Sequence, residues 1–155
     1  MAAARTLARS LLSSQVQAVL ATATREGAPS THLMAYAHTD DLRRVYMATG
    51  AESRKALQML SNPSVSLLWD NRTGNLADHG DGVLVTAAGR AALLEHEDRE
   101  VGLAALEHKN PNMSSFLRGG VSVFSVGVET YSVVRGYDAP ALFAPTSGSG
   151  TTSDE

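Results

Sequence analysis

Six runs of strand character, divided by turn residues and interrupted by only a few helical patterns, constrain this chain more than any other feature. They cover residues 15–24, 31–38, 44–49, 64–70, 82–95 and 121–135. Arg25-Glu26-Gly27-Ala28-Pro29 turns the first run into the second, and Thr39-Asp40-Asp41 turns the second into the third. Runs joined by such short turns pair antiparallel, because a parallel pair needs a crossover of a dozen residues or more. A doubly wound parallel sheet is therefore excluded. The pattern predicts a mainly β, α+β chain in which an antiparallel sheet closes on itself with Greek-key connections, a small barrel decorated with helices. Gly89, inside the fifth run, is expected to mark a bulge or bend.

The helical patterns are short. Leu7, Leu11 and Leu12 give residues 3–14 one apolar face, suited to covering an end of the barrel. Ala56, Leu57, Met59 and Leu60 do the same for a helix that Asn62-Pro63 stops. Residues 96–109 read as a surface helix with an apolar stripe through Val101, Leu103, Ala104 and Leu106, and residues 111–118 as a shorter helical piece. Residues 71–82 form a polar, Gly-rich loop that is a candidate border for a substrate pocket. One domain is expected over residues 1–143, with a disordered polar tail over 144–155.

The stretch Val45 to Lys55 carries the chemistry. It begins as a strand, turns at Thr49-Gly50, and enters a helix at Ser53, whose hydroxyl suits an N-cap. Arg54 and Lys55 then stand at the positive end of the helix dipole, where cations are disfavoured. Free amides, the hydroxyls of Thr49 and Ser53, a guanidinium and an ammonium together suit a phosphate dianion. The plainer alternative is two solvated surface charges.

Other classes are narrowed by composition. A formal net charge of -3 with no basic face argues against nucleic acid. The absence of cysteine excludes disulfides, thiolate metal sites and cysteine nucleophiles, and fits a cytoplasmic protein. The N-terminal segment lacks acidic residues before Glu26, as a transit peptide does, but a core strand begins soon after it. No apolar run is long enough to span a bilayer as a helix. His96-Glu97-Asp98-Arg99-Glu100 lacks the second histidine of a zinc motif, and Asp70-Asn71-Arg72-Thr73-Gly74 lacks the spacing of a calcium loop, so no metal site is expected.

Gly27-x-Pro29, the strand through Tyr36, Thr49-x-x-x-Ser53-Arg54-Lys55 and Asn62-Pro63-x-Val65-Ser66-Leu67 together resemble the FMN-binding split-barrel family, typified by pyridoxamine 5′-phosphate oxidase. The resemblance extends over about Leu11 to Tyr137. It implies a homodimer with FMN at the interface and a small-molecule substrate. It also implies that Thr49, Ser53, Arg54 and Lys55 hold the phosphate, while His32, Leu33, Met34 and Ala35 lie against the flavin ring. By the same resemblance Trp69 and Asn71, at the end of the fourth run, approach the ring or the ribityl chain. The chain departs from the oxidase pattern at His32, Ala37 and Leu84, where that pattern has Arg, Lys and Gln, and it lacks the C-terminal Arg-x-x-Trp element. Pyridoxamine phosphate oxidation itself is therefore not expected; a flavin-dependent oxidoreductase with another substrate is. His32 would tune the flavin, replace the missing Arg, or serve only as a half-buried strand residue.

Two rival readings follow from the same family. One is a non-catalytic flavin- or haem-binding module, or a haem-degrading relative, with His79 or His96 as axial ligand. The other is a reductase using a deazaflavin through the same phosphate cradle. His38, His79, His96 and His108 are otherwise expected as surface side chains, and Tyr36 and Tyr131 as core residues with satisfied hydroxyls.

Overall fold

The computed structural model describes residues 1–145. Helix α1 (Ala2–Ser14) precedes strands β1 (Gln17–Ala23), β2 (Pro29–Ala35), β3 (Ala37–His38) and β4 (Arg44–Gly50). Helix α2 (Arg54–Ser61) leads into β5 (Ser64–Asp70), the short α3 (Asp78–Asp81) and the long β6 (Val83–Leu93). Helix α4 (His96–Lys109), a 3-10 turn (Pro111–Met113) and α5 (Ser114–Leu117) separate β6 from β7 (Val121–Arg135) and β8 (Ala141–Phe143). Most of the expected tail lies outside the described residues. Ala144 does not behave as tail, since its carbonyl accepts a bond from Arg5 Nη2 at 3.1 Å.

All pairings are antiparallel, in the order β2-β1-β5-β6-β7-β4-β3, with β8 on β7. The two edges of this order, β2 and β3, are consecutive in sequence and separated by Tyr36 alone. One stretch of chain thus pairs with β1 and then with β4, curling the sheet into a split barrel. The single strand expected over 31–38 is divided here because its two halves serve opposite edges.

Side-chain direction follows from one inserted residue. Ala88 pairs with Thr130 and Gly89 with Val128, so Glu129 is left over as a bulge on β7. Phe124, Val126 and Val128 face the barrel core, and the insertion returns Tyr131 and Val133 to that same side. Val121 and Val123 face outward against a second cluster containing Leu106 and Leu117. Gly89 itself is required by close approach, since a Cβ there would lie 2.2 Å from the Gly127 carbonyl oxygen.

Two helices bury different faces from those expected. In α2, Ala56, Gln58 and Met59 are buried whereas Leu57 and Leu60 are more than half exposed. In α4, Gly102 and Leu106 are buried whereas Val101 is 57% exposed. Gly102 lets α4 lie close, with a Cβ there meeting Leu94, Val123 and Tyr46 at 3.1–3.2 Å. Strand β8 was outside the sequence expectation. Phe143 of β8 stacks on Tyr131 with centroids 5.1 Å apart, and Arg5 of α1 covers that ring at 5.2 Å.

Candidate functional site

Strands β2 and β4 meet the N-terminus of α2 and the end of α4 around one cleft of about 300 Å³. Leu33, Met34 and Ala35 line it from β2, and Ala48, Thr49 and Gly50 from β4. Lys55 lines it from the first turn of α2. Leu106 and Asn110 of α4, with Met113, Phe116 and Leu117 from the turns that follow, complete its wall.

The polar end is built by the local turn. The hydroxyls of Thr49 and Ser53 lie 3.0 Å apart. Ser53 caps α2 by accepting from the Ala56 amide at 3.2 Å, which leaves the amides of the first turn available to an anion. Among the described residues neither Arg54 nor Lys55 is paired with a carboxylate; the ion pairs there are Arg72–Asp70 and Arg118–Glu107. Burial, and then the charges of Lys55 and Arg54, hold His32 below the ordinary histidine pKa.

His32 belongs to a relay that begins in the core. The Thr22 hydroxyl donates to Gln58 Oε1 at 2.5 Å and lies 3.0 Å from His32 Nε2. Thr22 and Gln58 are both buried. With the hydroxyl proton committed to Gln58, Thr22 accepts from His32 Nε2–H, which fixes the neutral imidazole with Nδ1 as its free acceptor. A neutral ring does not supply the charge of the arginine found in the oxidase pattern.

Of the residues expected at the site, Leu33, Met34, Ala35, Thr49 and Lys55 line the cleft. Ser53 joins it through Thr49, Arg54 neighbours Lys55, and His32 lies within reach of both their charges. Trp69 and Asn71 do not join them. Trp69 follows Val65 and Leu67 on the buried face of β5, is 1% exposed, and meets Tyr36 edge-on with centroids 5.6 Å apart. Asn71 instead closes the turn between β5 and β6, accepting from the Val83 amide at 2.8 Å.

The polar loop is likewise self-contained. Arg72 pairs with Asp70, and Asp78 accepts from the Thr73 amide and hydroxyl and from the Gly74 amide at 2.7–2.9 Å. These bonds to the carboxylate lower the Asp78 pKa. None of these loop residues lines the cleft. His79 and His96 are exposed and also lie outside it. His38 is half-buried rather than a free surface side chain, with Nδ1 3.0 Å from the Thr39 carbonyl and Nε2 3.4 Å from Ser13 Oγ. Ala37 is buried in the cluster that holds Leu106 of α4 and does not line the cleft.

The wall formed by Leu106, Asn110, Met113, Phe116 and Leu117 was missed in the sequence. The helices predicted over 96–109 and 111–118 contain all of these residues but Asn110, and periodicity says nothing about the element onto which a helix folds. Asn110 anchors this wall, donating through Nδ2 to the carbonyls of Tyr36 at 3.1 Å and Leu106 at 3.0 Å.

The family model for pyridoxamine 5′-phosphate oxidase matches residues 5–130. No curated protein matches the chain by sequence. Among solved structures it is similar to a heme binding protein from Mycobacterium smegmatis, at 20% identity and a TM-score of 0.80, over 92% of this chain and 58% of that one. It thus spans less than two thirds of that protein's length. It is also similar to HutZ, the heme storage protein from Vibrio cholerae, at 14% identity and a TM-score of 0.65, over 91% of this chain and 94% of that one. A third likeness is to General Stress Protein 26 from Bacillus anthracis, at 19% identity and a TM-score of 0.66, over 90% of this chain and 97% of that one. At these identities the likeness is one of fold. The family match covers most of the chain, which therefore belongs to the pyridoxamine 5′-phosphate oxidase family.

Proposed function

We propose that this member of the pyridoxamine 5′-phosphate oxidase family is an FMN-binding flavoprotein and an oxidoreductase acting on a small molecule. The observation that carries the reading is the union, in one cleft, of an anion-seeking end at Thr49 and Lys55 with an apolar wall at Leu106, Met113, Phe116 and Leu117. A phosphate needs the first and a flat conjugated ring the second.

The residues present fit the cofactor. Thr49, Ser53, Arg54, Lys55 and the first-turn amides of α2 would hold the phosphate, and β2 at Leu33 to Ala35 would lie along the ring. When bound, FMN supplies the capacity to take up and release electrons or a hydride. The chain's own part is to orient, to exclude water with the apolar wall, and to keep His32 neutral with Nδ1 open as an acceptor. The described cleft holds no paired acid and base, so the protein's contribution is positioning rather than proton transfer at a named substrate atom.

A homodimer belongs to the same proposal. The cleft is at the lower end of the roughly 300–1,000 Å³ typical of small-molecule sites. Leu33 is 64% exposed and Phe116 46% exposed at the cleft, and Leu57 and Leu60 are more than half exposed on nearby α2. A second copy covering these side chains would complete the enclosure and bury apolar surface. Lack of cysteine supports a reducing compartment such as the cytoplasm. Among the described residues no helix is long and apolar enough to cross a membrane.

Titration with FMN, followed by absorbance and gel filtration, tests the reading. Saturable retention is expected, with Arg54→Ala and Lys55→Ala each weakening it about tenfold or more, since a charge-assisted bond contributes roughly 1.5–3 kcal/mol. Unchanged affinity in both variants would remove the cradle assignment. The haem reading draws on two structural relatives, but no histidine among the described residues lines the cleft. A saturable Soret band with no FMN retention would favour it. A deazaflavin carrying the same phosphate is distinguished by direct competition with FMN.

A further inference from the structure

A second pocket, of about 570 Å³, shares no lining residue with the cofactor cleft. Arg43 lines it from the turn before β4, Arg44 from the start of β4, Arg90 from β6, and Ser125 and Gly127 from β7. We propose that this pocket binds a phosphate dianion, either free or as the end group of a phosphorylated small molecule.

The register of the sheet assembles the site. Arg44 of β4 pairs with Gly127 of β7, which pairs on its other side with Arg90 of β6. Residues directly opposite on neighbouring strands project to one face. Val45, Val126 and Ala91, the next residues along the three strands, lie in the core. Arg44, Gly127 and Arg90 therefore form a row on the outer face. Two strand spacings of about 4.8 Å separate the arginine backbones, a span that two long side chains can close over an anion between them.

The middle of the row is a glycine that the backbone does not require. Its φ lies outside the left-handed region, and a Cβ there would meet only the Arg90 carbonyl oxygen, at an ordinary contact distance of 3.9 Å. The tight approach of β6 to β7 is served by Gly89 instead. Glycine weakens a strand interior, and one recurrent use of it there is to let a ligand come close. Gly127 is exposed, so the floor between the two arginines is open.

Charge points the same way. Three guanidinium groups and one carboxylate line the pocket, in a chain whose formal net charge is -3. The carboxylate, Asp41, accepts from the Thr39 hydroxyl at 2.6 Å and from the Arg43 amide at 2.9 Å, bonds that hold its pKa below the ordinary carboxylate value. Thr39 Oγ1 accepts from the Arg44 amide at 3.1 Å, so the turn fixes the backbone of both arginines. Among the described residues Arg43, Arg44 and Arg90 form no ion pair. The guanidinium hydrogen bonds there belong to Arg5, Arg9, Arg72 and Arg118. Guanidinium forks match phosphate oxygens in pairs, and a dianion balances the positive excess that Asp41 leaves.

Titration of the isotope-labelled full chain with inorganic phosphate and, in parallel, with phenyl phosphate tests the site through its amide NMR shifts, at an ionic strength held constant with chloride. The Gly127 and Ser125 amides should shift saturably. Arg44→Gln and Arg90→Gln should each weaken that binding about tenfold or more, whereas Lys55→Ala, in the cofactor cleft, should leave it unchanged. Gly127→Val should abolish it while keeping the thermal midpoint, since strands favour a β-branched side chain. Tighter binding of phenyl phosphate identifies a phosphorylated molecule as the ligand; equal or weaker binding of the ester identifies free phosphate. Shifts that do not saturate, that chloride reproduces, or that persist unchanged in either arginine variant or in Gly127→Val would overturn the assignment.

Discussion

The hydroxyl of Thr22 lies 3.0 Å from Nε2 of His32 and is committed as a donor to Gln58, so a core threonine sets the tautomer of a residue that lies near Lys55 and Arg54. Thr22→Val keeps the shape and removes the hydroxyl. Gln58 Oε1 and the His32 N–H are then left without their partner. The expected loss is about 1–3 kcal/mol of stability, the cost of an unsatisfied buried polar group. Chemical denaturation of the two proteins measures it.

The same relay makes stability depend on pH. Burial first, then Lys55 and Arg54, depress the pKa of His32 in the folded chain, and burial does the same for His38. The unfolded chain therefore binds more protons as pH falls through the ordinary histidine value of about 6.5. Stability is complete above that value and is lost as pH falls toward the folded-state pKa values. The denaturation midpoint should drop as pH falls below the ordinary histidine value of about 6.5, and His32→Gln should flatten part of that slope.

Ser53 has two tasks that one substitution separates. Ser53→Ala removes the cap on the Ala56 amide and the partner of the Thr49 hydroxyl. Loss of an N-cap costs about 1 kcal/mol, to be read by thermal unfolding. FMN affinity should fall in addition, whereas Ser53→Asp should restore the cap yet weaken FMN further by placing a carboxylate against the phosphate.

The bulge at Glu129 depends on a glycine across from it. In Gly89→Ala the new methyl would lie 2.2 Å from the Gly127 carbonyl oxygen, a backbone atom that cannot swing aside. Displacing β7 from β6 there should cost at least about 1–3 kcal/mol, the usual range for forced overpacking. Thermal melting measures the loss. A near-neutral effect would mean that the two strands part locally without strain.

Much of the architecture was legible from local chemistry. Ser64 to Asp70, His96 to Lys109 and Val121 to Arg135 form their elements with the expected bounds; Pro63 precedes the first, Asn110-Pro111 ends the second, and Gly120 and Gly136 flank the third. The irregularity at Gly89 and the cap at Ser53 were legible for the same reason: a glycine and a hydroxyl act on their immediate neighbours. The turn that brings the Thr49 and Ser53 hydroxyls together is contained in a few consecutive residues, so no long-range fold was needed to see it.

What the chain could not reveal by itself concerns partners distant in sequence. The family resemblance put Trp69 beside the flavin, whereas the closed barrel, with Tyr36 against the indole, places Trp69 in the core. Apolar periodicity put Leu57 and Leu60 of α2 inside, but the helix turns Gln58 inward because Thr22, 36 residues earlier, offers it a hydrogen bond. The chain alone determined which short segments bend, pair or cap, since those choices are made by contacts within a few residues. The tertiary structure decided which faces are buried and which helix closes the cleft, since those depend on burial against elements whose relative placement no local pattern encodes.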